Sequence, residues 1–109
     1  MKRIAKYRTA EGREPFSDWF EKLEWATQGR IHGMIVRVAC GGSKKNVKSV
    51  GSGVFEIKVD FGPGYRVYFG ELTGVLVLLL LGGDKSTQQR DVTKAVEFWK
   101  DACEKNDNF

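Results

Sequence analysis

Histidine and cysteine are scarce in this 109-residue chain, which carries one histidine, His32, and two cysteines, Cys40 and Cys103. Two cysteines exclude a disulfide scaffold and a four-cysteine zinc site, and a lone histidine excludes a catalytic histidine pair. Long apolar runs are missing as well. The longest, Val75 to Leu81, falls far short of the ~20 residues that span a bilayer. The opening MKRIAKYRTA has no apolar segment of the signal-peptide kind. These absences point to a protein of the reducing cytoplasm with no membrane partner and no metal centre of a familiar type.

What is present fits a globular domain: 41% hydrophobic, 12% aromatic and 29% charged residues lie outside the range of disordered chains. At this length, one domain over residues 1–109 is the simplest organisation. The net charge of +4 is uneven, with 11 basic and 5 acidic groups in residues 1–50 against 7 and 9 in residues 51–109. A basic N-terminal half fits an anionic partner, either nucleic acid or an acidic protein.

Residues 2–9 read as a charged edge strand. Pro15 opens a helix, in which Phe16, Trp19, Phe20 and Leu23 recur at helical spacing. After a break at Thr27-Gln28-Gly29 the spacing returns at Ile31, Met34, Ile35 and Val38, and Gly41-Gly42 end the second helix. His32 is assigned to its surface or to a structural role. The glycine-rich stretch 41–53, with Lys44, Lys45 and Lys48, has no hydrophobic period and reads as a loop, solvated or in contact with phosphate.

From Val54 the period becomes two: Phe55, Ile57, Val59 and Phe61 share one face and Glu56, Lys58 and Asp60 the other. The turn Gly62-Pro63-Gly64 leads into a second alternating strand, so that Lys58, Arg66 and Tyr68 share a polar face. The run 75–81 reads as a central strand covered on both faces, closed by Gly82-Gly83-Asp84-Lys85. Ser86 and Gln89 form a capping-box signal for a last helix, with Val92, Ala95, Val96, Trp99 and Cys103 on its buried stripe. The order strand, helix, helix, three strands, helix makes an α+β domain with a mainly antiparallel sheet.

Two features carry chemistry. GGDKS (82–86) abuts a helix N-terminus, where free amides, the helix dipole and Lys85 suit an anion; a capped turn with a solvated lysine is the alternative. The spacing is not that of a Walker A loop. Lys58, Arg66, Tyr68 and Lys85, joined by Lys48, would line a basic groove suited to RNA, with cations on phosphates and the tyrosine stacking on a base. Exposed ion pairs of Lys58 and Arg66 with Glu56 or Asp60 are the competing outcome.

GPGYRVYF (62–69) and LLLGGDKSTQQRD (79–91), together with the element order, closely resemble the small toxins of type II toxin–antitoxin modules. Within the RelE/ParE superfamily the chain is most similar to the HigB-like, phage-derived addiction-module killer proteins. The resemblance implies a RelE-like β-α-α-β-β-β-α fold and a cytoplasmic endoribonuclease that cuts mRNA on the translating ribosome without metal or cofactor. It also implies a heteromeric complex with a cognate antitoxin, often of helix-turn-helix type. Attack by the ribose 2′-hydroxyl would yield a 2′,3′-cyclic phosphate and a 5′-hydroxyl.

By position, the resemblance gives Arg66 charge stabilisation at the scissile phosphate. Lys58 becomes base or phosphate ligand, and Lys85 stabilises the phosphorane or supplies a proton. Departures are the absence of a tyrosine in the last helix, the absence of the histidines of other HigB toxins, and Glu56 where a second basic strand residue often stands. Asp84, Gln88 and Asp91 either substitute for the missing groups or cap and orient the last helix, and the general acid is unassigned. A ParE-like gyrase inhibitor and a degenerate, antitoxin-binding member are the alternative functions. The basic N-terminal excess is assigned to ribosome or antitoxin contact.

Overall fold

Pro15 occupies the first turn of a short helix α1 (Pro15–Phe20), where its missing N–H costs nothing, and Phe16 stacks on Phe20 within it. A second helix, α2 (Trp25–Ala39), starts earlier than the sequence pattern indicates. The chain breaks between Phe20 and Trp25 and runs helically through Thr27-Gln28-Gly29. Gln28 explains the shift: its side-chain amide donates to the Phe20 carbonyl at 2.9 Å, covering the end of α1 from within α2. Gly41, at φ +77°, closes α2 with the Gly42 N–H bonded to the Arg37 carbonyl. The computed structural model describes residues 1–105.

The strands are β1 (Arg3–Lys6), β2 (Val47–Gly51), β3 (Val54–Val59), β4 (Tyr65–Leu72) and β5 (Leu76–Asp84), and a single turn of 3-10 helix (Lys85–Thr87) leads into α3 (Gln88–Glu104). They form one sheet in the order β1-β5-β4-β3-β2; β1 runs parallel to β5 and every other pair is antiparallel. The architecture is α+β, with one strand more than the sequence pattern predicts. That strand, β2, lies in the expected loop 41–53. Its outer edge faces no neighbouring strand and its residues are at most half-buried, so it carries no apolar alternation. The hairpin to β3 turns at Ser52 and Gly53, both at positive φ, as a two-residue turn matched to strand twist requires.

Each sheet face carries its own core. Phe16, Ile31, Ile35 and Val38 from α1 and α2 pack with Ile57, Val59, Val67, Phe69, Val77 and Leu79. On the opposite face α3 supplies Ala95 and Ala102 against Val54, Tyr68, Leu78 and Leu80, with Tyr7 from just beyond β1. Cys103 is exposed; Ala102 takes the buried position of that turn, so the cysteine is not the small core residue expected. His32 is exposed, in keeping with a surface role. No helix among the described residues is long and apolar enough to cross a membrane.

Glycines let the helices approach the sheet. A side chain at Gly82 would begin 2.1 Å from the Trp19 ring, and one at Gly70 would begin 2.3 Å from Trp99. Gly82 and Gly83 therefore lie inside β5 instead of closing it, each leaving room for a group on its own face.

Candidate functional site

Strand register assembles the polar residues into two adjacent rows. Lys48 on β2, Glu56 on β3 and Tyr68 on β4 lie side by side, and Lys58, Arg66 and Gly83 form the next row toward the hairpin end. Residues directly opposite one another in a sheet share a face. Here that face is the one α3 covers. The face that alternation marks as polar is therefore largely buried: Glu56 is 2% exposed, Arg66 8% and Tyr68 not at all.

The first turn of α3 is keyed into these rows. Asp91 projects onto the bare backbone of Gly83, where a side chain would begin 1.9 Å from its Oδ2. The same oxygen accepts from the Thr87 hydroxyl at 2.5 Å. Gln88 Nε2 donates to Glu56 Oε2 at 2.9 Å. Both contacts are of the helix-orienting kind, one of the two roles left open for Gln88 and Asp91.

Glu56 is the electrostatic centre of the cluster. Its Oε1 lies 3.7 Å from Arg66 Nε and 3.8 Å from Lys48 Nζ, so the expected ion pairing occurs, but for Arg66 it is buried and not exposed. Neither distance is a hydrogen bond, and among the described residues the Arg66 Nε and Nη1 atoms are buried without hydrogen-bond partners. Buried donors of a charged group are costly to leave unpaired. The guanidinium lines two clefts, and because these two nitrogens are themselves closed to solvent, an anion reaches them only when the side chain shifts toward the cleft.

Two clefts open at Arg66. One, of ≈ 340 Å³, is lined by Lys58, Asp60, Phe61, the Gly62–Gly64 turn, Arg66 and Lys85. Its neighbour, of ≈ 360 Å³, is lined by Lys45 to Lys48, Glu56, Lys58, Asp60 and Arg66. Lys58, Arg66 and Lys85 thus border one cavity, and Lys48 borders the second. Lys58 stands at the rim, 3.7 Å from Asp60, both well exposed, a pairing that contributes little to stability. Lys45 and Lys48 come from the basic N-terminal half, so part of that excess faces this site, Lys48 as expected for the basic groove.

Two expectations for this region are corrected. Tyr68 cannot stack on a base, because its ring is enclosed between β3, β5 and α3; burial, reinforced by the nearby Glu56 charge, pushes its hydroxyl well above the usual tyrosine range. The GGDKS segment does not offer free amides to an external anion. The Lys85 N–H donates to the Gly64 carbonyl, and the Ser86 N–H and hydroxyl both donate to Asp84 Oδ1 at 2.8 and 2.5 Å. The chain supplies its own anion there: these hydrogen bonds hold the Asp84 carboxyl below the usual aspartate range. Asp84 also replaces Ser86 as the cap, and no Ser86–Gln89 box forms.

Another hollow, ≈ 500 Å³, lies away from the cluster along β1, between Arg3, Lys6, Arg8 and Lys105. Its tyrosine is already paired, with the Tyr7 hydroxyl donating to Asp101 at 2.5 Å. The smaller clefts at Arg66, where buried donors are unpaired, are the stronger site. Among the described residues no three His, Cys, Asp or Glu side chains cluster closely enough to hold a metal ion.

Sequence reasoning missed the central place of Glu56. The signal was partial: Val54 and Tyr68 share its face, which hints at a covered surface without saying which element covers it.

No family model matches the chain. Over 81 residues, 73% of this chain and 81% of its relative, it is 44% identical to an uncharacterized protein of Haemophilus influenzae. The chain belongs to the same family as that protein.

Proposed function

We propose that the protein is a RelE-like toxin of a type II toxin–antitoxin module and a metal-free endoribonuclease that cuts translated mRNA. The observation that carries this reading is Arg66: a guanidinium more than nine-tenths buried, with two donor nitrogens unpaired, at a cleft bordered by Lys58 and Lys85. A strand, two helices, an antiparallel meander and a closing helix on the opposite sheet face also fit the RelE-like arrangement, extended here by β2.

In this mechanism the scissile phosphate lies in the cleft, with Arg66 donating to its non-bridging oxygens. Attack by the ribose 2′-oxygen adds negative charge at phosphorus, and a fixed guanidinium in a partly desolvated site stabilises that charge more than water does. Glu56, too buried to meet substrate, positions Arg66 through charge, while Gln88 holds Glu56 in turn. Lys58 and Lys85, exposed at the rim, bind phosphate and move protons to and from the attacking and leaving oxygens. The bond formed is 2′-O to phosphorus, the bond broken is phosphorus to 5′-O, and the products are a 2′,3′-cyclic phosphate and a 5′-hydroxyl.

The partners in this reading are mRNA on the ribosome and an antitoxin that covers the basic surface. Growth after induction tests it. Wild-type protein arrests growth, and well-expressed, folded Arg66→Ala and Lys85→Ala variants relieve the arrest. Undiminished arrest by both variants favours a gyrase-binding toxin that needs no basic cleft.

A further inference from the structure

A third hollow adjoins the two at Arg66. This groove, ≈ 410 Å³, runs between α2 and the end of β3, lined by Gly29, Arg30, Gly33, Met34, Arg37, Asn46, Val59, Asp60 and Phe61. It shares Asp60 and Phe61 with the Lys58–Arg66–Lys85 cleft and Asn46 and Asp60 with the Lys48 cleft, so the three depressions meet at Asp60. At the junction, the Arg30 guanidinium lies 4.7 Å over the centre of the half-buried Phe61 ring.

Gly29 and Gly33, one turn apart on α2, differ from the glycines that admit tryptophan rings or Asp91. Apart from their chain neighbours and the backbone of α2 itself, no atom of the described residues lies within 4 Å of where either side chain would begin. Each weakens the helix by about 0.5–1 kcal/mol relative to alanine without accommodating any neighbouring group of the described chain. Their effect is to keep the wall of the groove low beside Arg30 and Arg37.

We propose that this groove is the continuation of the substrate track: a single-stranded RNA segment flanking the scissile phosphate passes over Phe61, where an unpaired base stacks against the Phe61–Arg30 pair, and its backbone follows Arg37 along α2. The inference rests on the RNA reading of the Arg66 cleft and deepens it by naming the substrate as unpaired RNA longer than the cleavage site. Stacking on a phenylalanine requires a base free of its duplex partner, and a guanidinium plane adds to such a stack. Arg30 and Arg37 are exposed cations on a groove whose single carboxylate among the described residues is Asp60, itself within ion-pair distance of Lys58. An RNA backbone would compete with Asp60 for Lys58, so Asp60 weakens binding and helps product leave.

The test is anisotropy titration of the full-length protein with fluorescent, fully 2′-O-methylated RNA oligomers of graded length, which cannot undergo 2′-oxygen attack. Wild-type affinity rises with length beyond a dinucleotide and is far weaker for duplex. Phe61→Leu, which keeps an apolar group against the core but removes the aromatic face, weakens the longer oligomers at least about fivefold, a larger loss than the dinucleotide shows. Arg37→Ala lowers the slope of log affinity against log salt by about 0.7, and Asp60→Asn tightens binding.

If Phe61→Leu, Arg30→Ala and Arg37→Ala bind every oligomer as wild type does while Arg66→Gln weakens them all, the track is wrong and the cleft reading stands. Should Arg66→Gln, folded by its melting curve, also bind as wild type does, both fall. A groove whose variants keep RNA affinity but lose binding to a polyglutamate peptide is a protein-docking surface, which overturns the proposal.

Discussion

Arg66 Nε stands 3.7 Å from Glu56 Oε1, with both side chains more than nine-tenths buried, and it is the carboxylate, not the arginine, that holds the hydrogen bond to Gln88. The carboxylate is anchored, and the guanidinium keeps two buried donors unpaired among the described residues. Removing the anchor leaves a buried cation without its counter-charge. Glu56→Ala is therefore expected to lower unfolding free energy by about 3 kcal/mol or more, read by urea denaturation. Gln88→Ala removes one hydrogen bond to that charge and costs less, about 1.5–3 kcal/mol.

Gly83 and Asp91 make a second tightly fitted pair. Gly83→Ala places a methyl group 1.9 Å from Asp91 Oδ2, which forces the first turn of α3 off the sheet. The expected cost is about 1–3 kcal/mol. In a double-mutant cycle, Gly83→Ala with Asp91→Ala is less destabilised than the sum of the single variants, because the clash is gone. Simple additivity would show that Asp91 is not the group that keeps position 83 bare.

Tyr68→Phe tests the correction to the stacking expectation. The hydroxyl is buried beside the Glu56 carboxylate without a well-formed hydrogen bond among the described residues, so its removal costs little and leaves the ring packing intact. The melting temperature stays level or rises, and affinity for RNA is unchanged. A loss of affinity with unchanged stability would return Tyr68 to the binding surface.

Sheet patterning was legible in the chain where burial is one-sided or complete. Residues 54–61 and 65–69 alternate, the run 75–81 is covered on both faces, and the glycines after α2 end it as expected. Two things were not legible. Alternation tells which residues share a face but not what covers that face, and the cover over Glu56, Arg66 and Tyr68 is α3, some 30 residues downstream. Strand β2 escaped because an edge strand has little apolar surface to hide. Of the candidate site, the grouping of Lys58, Arg66 and Lys85 followed from hairpin and motif, whereas the internal anion Asp84 depended on side-chain geometry at a turn that composition does not specify.

Asp84 gives a pH dependence of defined sign. Its hydrogen bonds to Ser86 lower its folded-state pKa below the ordinary value. The stability it contributes is therefore fully present above the unfolded pKa, near pH 4, and disappears as pH falls through the lower folded value. Asp84→Asn is less stable than wild type at neutral pH, and the gap between them narrows on acidification from about pH 5 to 2. A gap that stays constant with pH would mean that the charge of Asp84 does not contribute.

Charge at the cleft governs rate in this account. Arg66→Ala slows cleavage about 10²–10³-fold, as for loss of one preorganised donor to a developing oxyanion. Lys58→Ala and Lys85→Ala each slow it about 10²–10⁴-fold, as for loss of an acid or base, with folding unaffected because both side chains are exposed.

Mapping mRNA 5′ ends after induction of the wild-type protein and of Arg66→Ala, in cells and in a purified translation reaction containing chelator, tests the central claim most directly. The account predicts new 5′-hydroxyl ends inside translated codons, paired with 2′,3′-cyclic phosphates upstream and strongly reduced in the variant. Intact mRNA under a wild-type protein that still arrests growth would contradict it.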